Sequence, residues 1–362
     1  MGKLFVGLEL WQWAVVFGLS AGVVVLAGVV LARNGDAIAT RTGMGGLFVG
    51  MLLMAGATSL PEIVTDVSAA AAGAPDLALG DLFGSSMANM AILALVDMMH
   101  RGHVWPSAGL GQARVAAIAI ALTSVLMLGI ISPLRFQVGW IGVESIVIIA
   151  AYVFAAAWVR RAQRSATTRP VMPAPALPEP ALPEPALPDA GDEVLVPVGL
   201  DGLRGEPLRR NVLAFLGASL LILIVAPLMA IAAQAIAEQT GVAQTFVGVT
   251  LLAAATSLPE LATSIAAVRI GAYALAVGNL FGSNAINPTI IFFADAAYLP
   301  GPILAAVSSQ QLLAGVGAIL LTAIALGGIV HGARTRIERG EPDALLLLLA
   351  YVLMVWIVWA GS

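Results

Sequence analysis

The chain has no cysteine, only three histidines and few charges, since 10% of its 362 residues are Asp, Glu, Lys or Arg. Without cysteine it can form neither a disulfide nor a thiolate metal site, so any bound metal ion must use oxygen or imidazole ligands. We expect His100, His103 and His331 to lie at helix ends rather than in a metal site. The sequence has no nucleotide-binding motif, and we expect neither a nucleic-acid partner nor a cofactor.

Apolar residues are abundant instead. Hydrophobic residues make up 60% of the chain and the mean hydropathy is +0.97, whereas soluble domains are roughly half apolar and a quarter charged. Long apolar runs predict membrane-spanning helices, because a helix pairs its backbone polar groups within one segment. We therefore predict an all-α polytopic membrane protein with ten transmembrane helices, near residues 10–32, 43–72, 77–99, 112–133, 137–160, 211–235, 241–268, 272–298, 307–330 and 343–360.

The basic residues indicate how these helices are oriented. If the N-terminus lies outside, fifteen of the seventeen Lys and Arg residues fall in cytoplasmic loops, and only Lys3 and Arg135 do not. Positively charged loops are typical of the cytoplasmic side. The distribution predicts a multi-pass protein of the cell membrane with both termini outside. The first apolar run is long and lacks a convincing cleavage site, so we expect a retained helix rather than a signal peptide.

One connection between the predicted helices is long. Residues 161–210 include proline-rich near-repeats at 176–188, which predict an extended, disordered cytoplasmic linker. This linker separates two predicted domains of five helices each, 1–160 and 211–362. Because five is an odd number, a duplicated half would enter the membrane in the opposite direction. We therefore predict two inverted-topology five-helix repeats.

The two halves carry the same polar motifs. The sequence Ala-Thr-Ser-Leu-Pro-Glu occupies 57–62 and 255–260, and each copy is followed by Gly-x-x-x-Gly-Ser and then by an asparagine, Asn89 or Asn287. Matched residues are 198 positions apart. Duplication of polar groups inside apolar segments indicates that both halves contribute the same polar side chains to one site. The glycines of the second motif are typical of close helix packing: Gly80, Gly84, Gly278 and Gly282.

The first motif predicts a broken helix. Its proline lacks a backbone donor and clashes with the preceding turn, which frees carbonyl groups near Ala55 and Ala253 as ligands. The same residues match a Ser-x-x-Glu capping box, so helix capping is an alternative role. A charged side chain in mid-span costs roughly 2.5–3.5 kcal/mol, and for this reason we favour a binding role for Glu62 and Glu260. Oxygen ligands alone favour hard cations such as Ca²⁺ or Na⁺.

These paired motifs resemble the alpha-repeats of the cation/calcium antiporter superfamily, especially its sodium/calcium exchanger branch. The repeats span 55–89 and 253–287. The resemblance implies a secondary transporter, not an enzyme, that exchanges Ca²⁺ for Na⁺ by alternating access. It implies Ca²⁺ ligands from the glutamates and nearby carbonyls, outer Na⁺ ligands from serines and alanine carbonyls, and asparagines at the centre. The implied ion-binding residues are Glu62, Glu260, Thr58, Thr256, Ser59, Ser257, Ser85, Ser283, Asn89, Asn287, Ala55 and Ala253.

Three features depart from the pattern of that branch. Asn287 stands where many exchangers have Asp, and Ser86 replaces the usual Asn. Asp66 and Asp81 are additional acids that could line the ion pathway or face water at a helix end. The second half has Ser264 and Asn279 at the matching positions.

The missing acid at Asn287 leaves the driving ion open. Two glutamates balance one Ca²⁺ or two monovalent ions, whereas three Na⁺ would leave a net charge of +1 in a low dielectric. A buried glutamate can also bind a proton. The alternatives are therefore a Ca²⁺/H⁺ exchanger, an exchanger of Mg²⁺ or Mn²⁺, and more remotely a cation channel or an intramembrane hydrolase. We expect a monomer whose partners are Ca²⁺, Na⁺ or H⁺ and membrane lipid.

Overall fold

The computed structural model describes residues 8–100, 104, 109–132, 136–167, 206–240, 253–332 and 342–361. Helices dominate this part of the chain, so the predicted all-α fold is confirmed. The first half contains α1 (Leu10–Thr42), α2 (Gly46–Thr58), α3 (Leu60–Ala71), α4 (Pro75–Met99), α5 (Leu110–Ile131), β1 (Gln137–Val138), β2 (Ile141–Gly142) and α6 (Val143–Thr167). The second half contains α7 (Leu208–Thr240), α8 (Ala253–Thr256), α9 (Leu258–Arg269), α10 (Tyr273–Ala297), α11 (Ile303–Ala306), α12 (Gln311–Gly332) and α13 (Pro342–Gly361).

Seven helices in the described part of the chain are long and apolar enough to cross a membrane, and the bent pair α2 and α3 makes an eighth candidate. The described helices overlap the predicted spans, although α1 continues to Thr42 through a stretch predicted as a loop. Residues 241–252 lie outside the described residues. The count of ten therefore remains a prediction. Most of the predicted linker also lies outside them; residues 161–167 continue α6.

The two halves have matching helix boundaries. Helices α1 and α7 begin and end 198 residues apart, and the same offset separates α3 from α9 and α4 from α10. The polar motifs therefore occupy the same places in both sets of helices. This agreement extends the duplication seen in the motifs to whole helices.

The broken helix expected at the first motif is confirmed. Ser59 separates α2 from α3, whose axes differ by 43°, and Ser257 likewise separates α8 from α9. Pro61 and Pro259 stand at the start of the new helices, where a missing backbone donor is tolerated. Before the first break, Val49–Met54 form a π-helical turn, a feature that often accompanies functional sites.

The beginning of the fifth predicted span is wrong. Residues 137–142 form an antiparallel hairpin rather than a helix, and α6 begins at Val143. Gly139 adopts a positive φ of 67° in the turn, which glycine tolerates and most residues do not. The N–H of Gly142 donates to the carboxylate of Asp295 over 2.8 Å, so that a tertiary contact holds the strand in place.

Helices α4 and α10 form the centre of the molecule, and nearly all their residues between the first and last turns are buried. Close packing of α10 against α2 depends on glycine. A Cβ at Gly282 would lie 2.6 Å from the Cα of Met51, and a Cβ at Gly278 would lie 2.9 Å from the carbonyl oxygen of Leu47. The packing role predicted for these two glycines is confirmed.

Two of the histidines lie at helix ends, as the sequence predicts. His100 follows the last residue of α4, and His331 lies in the last turn of α12. The third, His103, lies outside the described residues.

Candidate ion-binding site

The two helix breaks bring the glutamates of both motifs into the protein core. Glu62 and Glu260 lie in the first turns of α3 and α9, and they are 1% and 0% exposed. The hydroxyl of Ser59 donates to Oε1 of Glu260 over 3.5 Å, and that of Ser283 donates to the same oxygen over 3.2 Å. Because Ser59 belongs to the first half and Ser283 to the second, both halves hold this carboxylate.

Glu62 has a different environment. Neither of its carboxylate oxygens has a hydrogen-bond partner in the described part of the chain. Its charged neighbours are the carboxyl groups of Glu260, Asp81 and Asp66. A buried carboxylate without donors or a counter-charge is costly, by several kcal/mol. This part of the core therefore favours a cation.

A cluster of hydroxyls links the halves on the side of α4. Oγ1 of Thr256 lies 3.1 Å from Oγ of Ser85 and donates to Oδ1 of Asp81 over 3.2 Å. All three side chains are 0% exposed. Thr256 comes from the second half and its partners from the first. The predicted ligands Ser85 and Thr256 are thus brought together.

The equivalent contacts on the side of α10 use an amide. Thr58 donates to Oδ1 of Asn279 over 3.3 Å, and Nδ2 of Asn279 donates to Thr263 over 3.0 Å and to Ser264 over 3.4 Å. An amide can accept and donate at once, whereas an ionised carboxylate can only accept. Both polar atoms of the Asn279 amide therefore have hydrogen-bond partners, whereas Oδ2 of Asp81 has none among the described residues.

The central asparagines tie α4 to α10. Nδ2 of Asn89 donates to Asn284 over 3.0 Å, and Nδ2 of Asn287 donates to Oγ of Ser86 over 3.1 Å. The amide of Asn284 also donates to the carbonyl of Ser86 over 3.0 Å. The Oδ1 atoms of Asn89 and Asn287 have no donor among the described residues. Both oxygens are therefore available to a cation.

The alanine carbonyls are not freed by the prolines. The carbonyl of Ala55 accepts the N–H of Ser59 over 2.9 Å and the hydroxyl of Thr58 over 3.3 Å, and Ala253 accepts the matching pair of bonds over 2.9 and 3.2 Å. An oxygen at either alanine could bind an ion only through a second lone pair or by replacing the threonine hydroxyl.

Helix capping does not account for the motif serines. Ser59 and Ser257 stand at the N-cap positions of α3 and α9, yet neither side chain makes a capping hydrogen bond. Ser59 reaches Glu260 of the other half instead, and the Ser257 hydroxyl has no partner in the described residues. The capping-box alternative is therefore wrong, and neither hydroxyl is used to cap its helix.

The two additional acids lie beside the site rather than at a water-facing helix end. Asp66 and Asp81 are 1% and 0% exposed, and their carboxyl groups lie within hydrogen-bonding reach of each other. Neither oxygen of Asp66 has a donor in the described part of the chain. Whether they line the ion pathway stays a prediction.

Sequence reasoning missed a second duplicated acid. Asp97 and Asp295 are 198 residues apart and lie at the ends of α4 and α10. Asp295 accepts the N–H groups of Gly142 and Ile303 over 2.8 and 2.7 Å and the hydroxyl of Ser145 over 2.6 Å. The shared offset was the signal that could have identified the pair, which positions the loops that follow the central helices.

The described residues contain no group of three His, Cys, Asp or Glu side chains arranged to hold a metal ion. The buried oxygens that could hold a cation in the core are those of two glutamates from opposite halves together with neutral hydroxyl, amide and carbonyl oxygens. Such a mixture suits hard cations with flexible coordination, above all Ca²⁺ and Na⁺.

A model of the sodium/calcium exchanger protein family matches residues 12–160 and 210–360. The chain belongs to the sodium/calcium exchanger family. This exchanger is therefore a multi-pass membrane transporter of the cation/calcium antiporter type, and both of its halves carry the family's sequence.

Individual relatives of the exchanger are similar over different lengths. The inner membrane protein YrbG of Escherichia coli is 29% identical over 266 residues, which cover 71% of each chain. The putative antiporter CaxA of Alkalimonas amylolytica is 26% identical over 92% of this chain and 97% of its own. The sodium/calcium exchanger MaX1 of Methanosarcina acetivorans is 31% identical over 121 residues, 33% of each chain.

The fold of the exchanger is also similar to a solved structure. The sodium–calcium exchanger NCX_Mj, soaked with Na⁺ and Sr²⁺, aligns with a TM-score of 0.64 at 17% identity, and the match covers 96% of this chain and 99% of that chain. At this identity the likeness concerns the fold alone. The ion that drives transport must be argued from the residues of the site.

Proposed function

We propose that this exchanger moves Ca²⁺ across the membrane in exchange for Na⁺, by alternating access to one central site. The observation that carries the proposal is the meeting of Glu62 and Glu260, which come from opposite halves, are buried in the core and are close enough to repel each other. In the described part of the chain neither has a basic partner. One Ca²⁺ bound between them would neutralise both charges.

Neutral oxygens would complete the coordination. The free Oδ1 atoms of Asn89 and Asn287 and the free hydroxyl of Ser257 are buried oxygens without donors among the described residues. Hydroxyls that bond weakly to other side chains, such as that of Ser59 at 3.5 Å, can turn towards an ion at little cost. We assign the outer positions to Na⁺, with ligands from Ser59, Ser85, Ser257, Ser283 and the carbonyls of Ala55 and Ala253.

We further propose that the exchanger lies in the cell membrane with both termini outside and removes Ca²⁺ from the cytoplasm. Arg33 and Arg269 belong to different predicted cytoplasmic loops, and they line one common groove. Their shared position supports the assignment of both loops to the same side. YrbG, one of the relatives, is by its name an inner membrane protein.

A second candidate is Ca²⁺/H⁺ exchange. Asn287 supplies an amide where an acid would add a charge, and Asp66 and Asp81 place two further carboxyl groups beside the glutamates. Four buried carboxyl groups without a basic partner in the described residues require cations or protons for neutrality. Protons could therefore take the part that Na⁺ plays in the first candidate.

Uptake of ⁴⁵Ca²⁺ into proteoliposomes separates the two candidates. The membrane potential is clamped with K⁺ and valinomycin, and uptake is driven either by internal Na⁺ at equal pH or by a pH gradient without Na⁺. We expect uptake with Na⁺ alone. Uptake with the pH gradient alone would replace Na⁺ by H⁺ as the driving ion, and uptake of Mg²⁺ or Mn²⁺ alone would change the divalent substrate.

The role of the glutamates is tested in the same vesicles. Each substitution replaces a negatively charged ligand of the buried ion by a neutral one. We therefore expect Glu62→Gln and Glu260→Gln each to lower Na⁺-driven Ca²⁺ uptake by about 100-fold or more. Glu206→Gln makes the same chemical change beside Arg210, in an ion pair at the start of α7, and should leave uptake unchanged. Ca²⁺ flux that persists in both core variants would overturn the proposed site.

A further inference from the structure

A groove on the surface of the molecule is lined by none of the candidate ion-binding residues. It lies between α1 and α9 and encloses a cavity of about 400 Å³. Its walls are apolar over most of their length, with Val25 and Val29 on α1 and with Leu258, Leu261 and Ile265 on α9. We refer to this feature as the α1–α9 groove.

Both walls of the α1–α9 groove end in an arginine. On α1 the lining residues Val25, Val29 and Arg33 follow at intervals of four, and on α9 the lining stripe runs from Leu258 to Arg269. Both arginines are exposed, and neither has an ion-pair partner in the described part of the chain. The groove therefore combines an apolar body with two exposed, positively charged side chains at one end.

The length of the groove corresponds to one leaflet. At 1.5 Å per helical residue, the stripe on α1 is about 12 Å long and that on α9 about 16 Å. Half of the hydrocarbon core of a bilayer is roughly 15 Å. Leu258 follows the helix break at Ser257, so the apolar end begins at the depth of the ion site. The arginines lie near the opposite, cytoplasmic end that the basic loops indicate.

From these observations we propose that the α1–α9 groove binds one anionic glycerophospholipid of the cytoplasmic leaflet. Its acyl chain lies along the apolar walls, and its phosphate group bridges Arg33 and Arg269. Guanidinium groups bind phosphate through paired, charge-assisted hydrogen bonds. A free phosphate ion would use only the arginines and leave the apolar walls without an occupant, so the groove as a whole fits a lipid.

The floor of the groove connects this lipid to the ion site. Helices α1 and α9 touch there, since a Cβ at Gly28 would lie 2.8 Å from the Cβ of Ala262. The next residue, Thr263, accepts the amide of Asn279 and donates to the carbonyl of Glu260 over 3.1 Å. A lipid between the helices would therefore press on the same helix turn that carries Glu260.

The test is lipid binding by the purified full-length protein, measured by native mass spectrometry after delipidation. Phosphatidylglycerol and zwitterionic phosphatidylcholine are compared as probes. We expect one tightly held phosphatidylglycerol and about tenfold weaker binding in the double variant Arg33→Gln/Arg269→Gln. The matched control Arg41→Gln/Arg209→Gln removes two exposed arginines outside the groove and should bind phosphatidylglycerol as the wild type does.

A second pair of variants tests the apolar walls. Ile265→Trp should fill the groove and lower phosphatidylglycerol binding, whereas Leu26→Trp, on an exposed part of α1 (69%), should not. Thermal unfolding in detergent shows that each variant is folded. Equal binding by the two arginine double variants would overturn the proposal. Displacement of the lipid by glycerol 3-phosphate at millimolar concentration would also overturn it, because the arginines alone would then account for binding.

Discussion

Helices α4 and α10 lie at matching positions in the two halves, but one contact that each makes with the preceding helix differs in charge. On α10, Asn279 donates to Ser264 over 3.4 Å. On α4, Asp81 stands opposite Asp66, and two acceptors meet. The backbone positions match, since both pairs are 15 residues apart. A duplicated fold can therefore hold a neutral pair in one half and an acidic pair in the other.

The difference changes the charge beside the site but keeps the threonine contacts. Thr256 donates to Asp81 as Thr58 donates to Asn279, over 3.2 and 3.3 Å. The hydroxyl contacts across the halves are thus preserved, while one half carries two extra carboxyl groups. Charge at an ion site sets which ions neutralise it, so the acidic pair gives the first half the larger negative charge beside the site.

Packing offers the strongest way to test how far the two halves agree. Gly282 on α10 approaches the backbone of Met51 so closely that a Cβ would lie 2.6 Å from its Cα. We expect Gly282→Val to destabilise the protein by about 3 kcal/mol, because backbone cannot move aside as a side chain can. Thermal unfolding in detergent measures the loss. Gly22→Val is the matched control, since nothing lies within 4 Å of a Cβ there.

The counterpart of Gly282 in the first half is Gly84. If α4 packs as closely as α10, Gly84→Val should lower the unfolding temperature by a similar amount. A normal unfolding temperature for Gly84→Val together with a lowered one for Gly282→Val would show that the halves pack differently. An unchanged temperature for Gly282→Val would contradict the close contact itself.

The duplicated aspartates at the ends of the central helices give a smaller contrast. Asp295 accepts three donors through both oxygens, so Asp295→Asn places an amide donor against them. We expect a loss of about 2 kcal/mol, since buried donors lose their partner. Asp97 accepts the N–H of Val104 through Oδ1, a bond that asparagine can retain. Asp97→Asn should therefore lower the unfolding temperature less, and a larger loss there would reverse the comparison.

The sequence predicted the helices and their breaks but missed the hairpin. The all-α fold and the breaks at Ser59 and Ser257 followed from apolar runs and from proline, both local signals. The hairpin at 137–142 did not, because its strand is held by Asp295, 153 residues away from Gly142. A contact at that separation leaves no local pattern in an apolar sequence.

The same distinction applies to the candidate site. Motif spacing indicated which side chains share a helix face, and the structure brings Ser85 and Thr256 together as well as Ser59 and Glu260. Motif spacing could not indicate that Ser59 would bond across the halves, because a Ser-x-x-Glu sequence also satisfies a local capping rule. Ser59 donates instead to the buried carboxylate of Glu260 in the other half, a contact that no local rule predicts.

The smallest expected effect concerns the acidic pair itself. Asp81→Asn supplies an amide that can donate to Asp66 and still accept from Thr256, as Asn279 does in the other half. Since it replaces a contact between two acceptors by a hydrogen bond, we expect the protein to gain about 1 kcal/mol of stability. The reverse exchange, Asn279→Asp, removes donors from Thr263 and Ser264 and should lower stability. Thermal unfolding of both variants, at one pH and without Ca²⁺, measures the two shifts. Shifts of the same sign would mean that the acids of α3 and α4 are held by something other than their contact with each other.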